Sequence, residues 1–171
     1  MERLLLTLVV FAIFVLGLWG MRRSWRRRAR SQSAQLPPFP STPADPVVLG
    51  EELLPENKGL YVSTTTAGDW QDRIVTRGVG MRGRAVLRLY ASGVEIDRAG
   101  APGFFIPRES IVEVKRASRI AGKVMGTDSL LVITWRLGET ELDTGFRGDD
   151  LDVYPQWIEG LSEREIKGGA Q

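Results

Sequence analysis

The chain has 171 residues, with 23 Lys and Arg against 21 Asp and Glu, and no histidine or cysteine, which allows one domain with appendages. The missing cysteines exclude disulfides, thiolate metal sites and cysteine nucleophiles, and the missing histidines remove the commonest general base and transition-metal ligand. The expectation is therefore a protein that is not an enzyme and holds no cofactor or metal.

The formal net charge of +2 is laid out unevenly. Residues 1–30 hold seven Arg against Glu2, giving +6, and residues 31–171 carry −4. A basic pI produced by the first 30 residues is no argument for a nucleic-acid-binding domain, and no nucleic-acid partner is expected.

Residues 4–21, LLLTLVVFAIFVLGLWGM, contain no charge and have no polar face. At about 1.5 Å per residue, such a helix reaches about 27 Å, enough to cross the hydrocarbon core of a bilayer. Trp19 and Trp25 lie where interfacial aromatics sit. A cleaved signal peptide has a basic start and an Ala-x-Ala site after the apolar centre. Here Glu2 offsets Arg3, and six arginines follow the run: Arg22, Arg23, Arg26, Arg27, Arg28 and Arg30. That charge order predicts a retained anchor at residues 1–21. The positive-inside rule sets the N-terminus outside and residues 22–171 in the cytoplasm, at the plasma membrane.

Residues 22–57 read as a basic flank followed by an extended linker, with prolines at 37, 38, 40, 43, 46 and 55. A β domain is expected over residues 58–166, with a flexible tail at 167–171. GLYVSTTT is a first strand. DWQDRIVTRG admits a short helix capped by Asp69, with Trp70 and Ile74 on one face. RAVLRLY alternates, placing Ala85, Leu87 and Leu89 inward, and Ser92-Gly93 turns it into VEIDR. FFIP and SIVEVKR follow, the second with Val112 and Val114 inward. SLLVITWRL is apolar on both sides, which predicts a central strand. Gly138-Glu139 makes a tight hairpin into TELDTGF. Leu151, Tyr154, Trp157, Ile158 and Leu161 then share one helical face. The fold class is mainly β: a seven-stranded barrel or sandwich closed by a C-terminal amphipathic helix.

The stretch LRLYASGVEIDRAGAPGFFIPRESIVEVKR resembles bacterial pleckstrin-homology-like (PH-like) domains, where strand, Gly turn, strand, an IP and an xxIxxV recur. GLYVSTTTAGDWQDRI, GMRGRA, ITWRLG and LDTGFRGDD further resemble an actinobacterial family of single-pass membrane proteins. That family carries one N-terminal helix and one PH-like domain and is sometimes labelled a transporter. The resemblance implies the fold and the anchor. It brings no catalytic or ligand residue with it.

GVGMRG matches a dinucleotide fingerprint, but an alternating strand follows where that fold needs a helix, so a glycine-rich turn is expected. Residues 73–123 hold 11 basic against four acidic residues. Arg73, Arg77, Arg82 and Arg84 bracket the loop before the second strand. In lipid-binding PH domains, basic residues near the first hairpin hold phosphates, which implies an anionic-ligand or partner patch at these four. GDDLD lacks EF-hand spacing and reads as charge at a helix N-terminus. The combined expectation is a membrane-anchored cytoplasmic interaction module that binds a protein partner or anionic lipid headgroups. The alternative is an accessory subunit of a transport or export assembly.

Overall fold

The computed structural model describes residues 2–69, 71–120, 123–124 and 129–162. Its first element, α1 (Glu2–Gln35), is one 34-residue helix that runs through both the apolar span and the arginine run. Nothing between Glu2 and Gln35 removes a helical donor. Pro37 then ends the helix, and Leu36 before it is steered out of helical geometry.

Residues 36–57, expected to be an extended tether, pack onto the domain instead. Leu36 is buried in the main core. The Phe39 ring meets Phe104 edge-on at 5.2 Å and Trp135 at 5.6 Å. Asp45 caps the four-residue α2 (Pro46–Leu49), accepting from the Val47 N–H at 2.9 Å. Strand β1 (Glu52–Thr66) begins six residues earlier than GLYVSTTT placed the domain start. The prolines stiffen this segment, while Leu36 and Phe39 find a core to fill.

The seven expected strands form one antiparallel sheet. They are β1, β2 (Gly83–Tyr90), β3 (Gly93–Arg98), β4 (Phe104–Pro107), β5 (Ile111–Ala117), β8 (Leu130–Leu137) and β9 (Thr140–Gly148). The order β4-β3-β2-β1-β9-β8-β5 leaves β4 and β5 as the two ends, so the sheet is not closed. The long β1 joins its halves, pairing with β2 through its first part and with β9 through its last. At Gly59, opposite both Ala85 and Gly148, a side chain would strike the β9 backbone. The two-residue hairpin at Gly138-Glu139 uses a left-handed Gly138 (φ 61°).

Helix α3 (Tyr154–Ser162) buries Tyr154, Trp157 and Leu161 against the sheet. The acids before it do not enter its first turn. Asp150 accepts from the Asp152 N–H in a turn, and Asp149 is drawn to Arg84.

Three further expectations fail locally. DWQDRIVTRG forms no such helix: Asp69 accepts from the N–H groups of Gln71 and Asp72, but Arg73 bridges back to Thr65, and only a 3-10 turn follows at Thr76–Gly78. Trp70 lies outside the described residues. Strand β8 is next to the edge, not central. Its second face is covered because Ile120, on β6 (Arg119–Ile120) beside β7 (Lys123–Val124), packs on Val62, Leu130 and Val132. Val112 points outward, since the β5–β8 register slips between Ile111 and Glu113 and the bulge turns its side chain away from the core.

A chain of buried hydrogen bonds crosses the core. Trp135 Nε1 donates to Thr144 Oγ1 (2.9 Å), which shares a bond with Thr64 Oγ1 (3.0 Å). Thr64 meets the Tyr61 hydroxyl (2.8 Å), which donates to the Val79 carbonyl. Burial pushes the Tyr61 phenol up to about 12, and burial also raises Tyr154. A phenol held neutral in the folded state keeps its proton while the unfolded chain ionises near pH 10, so stability is complete below pH 10 and falls as pH rises toward 12. A two-unit difference corresponds to about 3 kcal/mol. Denaturant midpoints of the wild type should fall across that window, and the Y61F midpoint should fall much less. Equal falls in both proteins would remove Tyr61 from the explanation.

Candidate functional site

The helical backbone of α1 gathers the N-terminal arginine run. With about 100° between successive residues, positions 22, 26 and 30 stack one turn apart and 23 and 27 lie beside them, while 28 falls elsewhere. Arg22 and Arg23 are exposed, and the Arg23 guanidinium sits 5.4 Å from the Trp19 ring. An aromatic and a cation thus meet at the end of the apolar span, the pairing suited to a headgroup layer.

The four arginines expected to form an anionic patch have separate surroundings. Arg84 makes a bidentate ion pair with Asp149, Nη1 to Oδ1 at 3.2 Å and Nη2 to Oδ2 at 3.0 Å. Arg73 is half-buried, and its Nη1 donates to the Gly80 carbonyl at 3.3 Å. Arg82 is exposed and makes no hydrogen bond or ion pair among the described residues. The Arg77 side chain lies outside the described set. Arg88 and Arg116 of the middle region are also engaged. Arg88 meets Glu56 and Glu95 at 3.3 and 3.1 Å, and Arg116 lies 5.3 Å from the Tyr154 ring while donating to the Leu151 carbonyl.

Arg98, one of the 11 basic residues at 73–123, is 5% exposed. Its Nη2 donates to the carbonyls of Gly78 (2.9 Å) and Met81 (2.8 Å), and its guanidinium lies 4.3 Å from the Tyr61 ring. Burial lowers its pKa, opposed by Tyr61. Arg98 therefore clamps GVGMRG, which leads into β2 as a turn and not into a helix. The signal was present: Val94, Ile96 and Arg98 occupy successive inward positions of one strand.

The sheet treats its two ends differently. At β4, the Phe105 N–H donates to the Pro40 carbonyl at 2.8 Å, so the segment after α1 occupies that edge. At β5, one side pairs with β8, and among the described residues no backbone pairs with the other. A groove of about 630 Å³ runs between β5 and α3, lined by Arg108, Ile111, Val112, Glu113, Val114 and Leu161. Val112 is 49% exposed in it, a large apolar side chain on an open edge. Arg108 Nη2 donates to the Gly160 carbonyl, while its Nη1 is buried with no hydrogen-bond partner. Lys115 pairs with Glu113 on the solvent side of the strand. Sequence reasoning missed this edge because it assigned Val112 to the core and β5 no position in the sheet.

An unpaired strand edge beside a groove of mixed polar and apolar lining suits recognition of another backbone in extended form. No curated protein matches the chain. The family model for bacterial PH domain-like proteins matches residues 36–162, beginning at the buried Leu36 and ending at the last residue of α3. Seven antiparallel strands and a C-terminal helix accord with that match, and the chain belongs to the bacterial PH domain-like family.

Proposed function

We propose that this chain is a membrane-anchored interaction module. Residues 6–24 span the plasma membrane with the N-terminus outside, and the PH-like domain meets a protein partner at the cytoplasmic face. One observation carries the reading. Leu6–Ser24 is long and apolar enough to cross a membrane, and none of it is buried by the rest of the chain. Phe11, Ile13, Leu16 and Trp19 are each at least 60% exposed. Such a surface is stable only when an apolar medium covers it, since each such side chain gains about 1.5–3 kcal/mol on leaving water. The domain at the other end of α1 holds its own core and needs no contribution from this span.

Orientation follows from the six arginines, which favour the side with anionic lipid by up to about 1 kcal/mol each. They tie the end of α1 to the inner leaflet and leave recognition to the domain. The test is protease accessibility of the full chain. The domain should survive protease added to intact spheroplasts and be digested in inverted vesicles. Replacing Arg22, Arg23, Arg26, Arg27, Arg28 and Arg30 together with Gln should give a mixed orientation. Digestion of the wild-type domain in intact spheroplasts, or its release from membranes by alkaline carbonate, would overturn the reading.

A further inference from the structure

We propose that the free edge of β5 pairs antiparallel with β5 of a second copy, joining two seven-stranded sheets into one. This rests on the interaction-module reading and names the partner at this edge.

The strand is self-complementary. With Val114 facing the partner's Val114, Glu113 stands opposite the partner's Lys115, and Lys115 opposite the partner's Glu113. Glu113 and Lys115 share the solvent face of β5, so both unlike pairs form on that face. The bulge between Ile111 and Glu113 ends the regular ladder there, so the register rests on residues 113–115, where no like charges meet. Sliding the pairing so that Glu113 or Lys115 faces itself opposes like charges across the axis. Charge therefore selects one register, and a twofold axis doubles each gain.

The other face favours the same arrangement. The bulge that exposes Val112 places an isopropyl group in the groove beside the edge, where Val114 also lines it. The contrast with β4 matters as well. One edge is covered by the chain's own residue 40, and the other has no backbone partner among the described residues. Anchoring in a membrane confines copies to a plane and raises their effective concentration, so a modest edge contact is sufficient for association.

The chain has no cysteine, so introduced thiols are the only ones. The full chain is expressed in its membrane as two differently tagged populations, one E113C and one K115C. Directly opposed positions are about 5 Å apart at Cβ, and the diagonal ones about 7–8 Å. Mild oxidation should link E113C to K115C about tenfold more than E113C to itself. Separately, size in mild detergent should show dimers for the wild type. E113K or K115E alone should weaken dimerisation about tenfold, and E113K/K115E should restore it. Both sites are exposed, and unchanged thermal unfolding of each variant verifies folding. Dimers that persist in all variants without register-specific disulfides would mean association through α1 and overturn the pairing. A monomer with no such disulfide leaves the edge to another protein and overturns it too. Neither result disturbs the anchored-module reading, which stands or falls on protease accessibility.

Discussion

R98A is expected to destabilise the domain by about 3 kcal/mol and to release the loop between Thr76 and Gly83. The Arg98 side chain is almost wholly removed from water, and among the described residues no carboxylate pairs with it. Its charge is held by two short bonds to the Gly78 and Met81 carbonyls, a weaker one to Pro102 at 3.4 Å, and the face of Tyr61. Hydrogen bonds from a charged donor contribute about 1.5–3 kcal/mol each, and a stacked guanidinium adds about 1. Alanine leaves the Gly78 carbonyl with only the Met81 N–H at 3.2 Å and removes the Arg98 donor from the Met81 carbonyl, and it opens space against Tyr61, whose hydroxyl bond to Val79 anchors the same loop. The R98K variant retains the charge but loses the fork that reaches two carbonyls at once, so it should recover less than half of the loss. Denaturant unfolding measures the cost, and protease cleavage near Met81, exposed on that loop, measures the release. A loss under 1 kcal/mol with no new cleavage would show that the loop holds itself.

The parts of the fold that were legible in the sequence obey a local rule. Leu87 and Leu89 alternate with Arg88 because one face of β2 is core and the other is water. Gly138 occupies a left-handed position where a two-residue hairpin needs it. Tyr154, Trp157 and Leu161 share a helical face. What escaped depended on distant contacts. SLLVITWRL read as central because both faces are apolar, yet its second face is covered by Ile120, whose approach no local pattern announces. Val112 looked inward by alternation, and a one-residue bulge reversed it. Pro-rich composition indicated a tether, and composition is blind to two apolar side chains that dock. The candidate site was harder still. The basic excess of residues 73–123 is real in the sequence, but folding commits Arg84, Arg88, Arg98 and Arg116 to carboxylates, carbonyls and rings. The open edge of β5 is a property of strand order, which becomes visible only when the sheet is assembled.

F39A should cost about 2–3 kcal/mol and free the segment between α1 and the sheet. Phe39 is only partly buried, so the loss should fall below that of a fully enclosed phenylalanine. Its ring nevertheless closes one side of the aromatic cluster of Phe104, Trp135 and Tyr61, where Phe104 and Trp135 stack at 6.2 Å. Without it, those rings face water, and the Pro40 carbonyl that covers the β4 edge loses its nearest apolar anchor. Protease cleavage between Leu36 and Asp45 should rise sharply in F39A, while the wild type resists. On the proposed anchoring, the functional consequence concerns the membrane. A packed segment fixes the domain's height and attitude above the end of α1, whereas a free one of the same length lets it wander. If β5 edges meet across a twofold axis, a fixed attitude presents both edges at one level, and F39A should weaken dimerisation in membranes although Phe39 lies outside the β5 edge, packing on Trp135 of the neighbouring β8. Stability and protease resistance equal to wild type would show that the segment touches the domain without holding it.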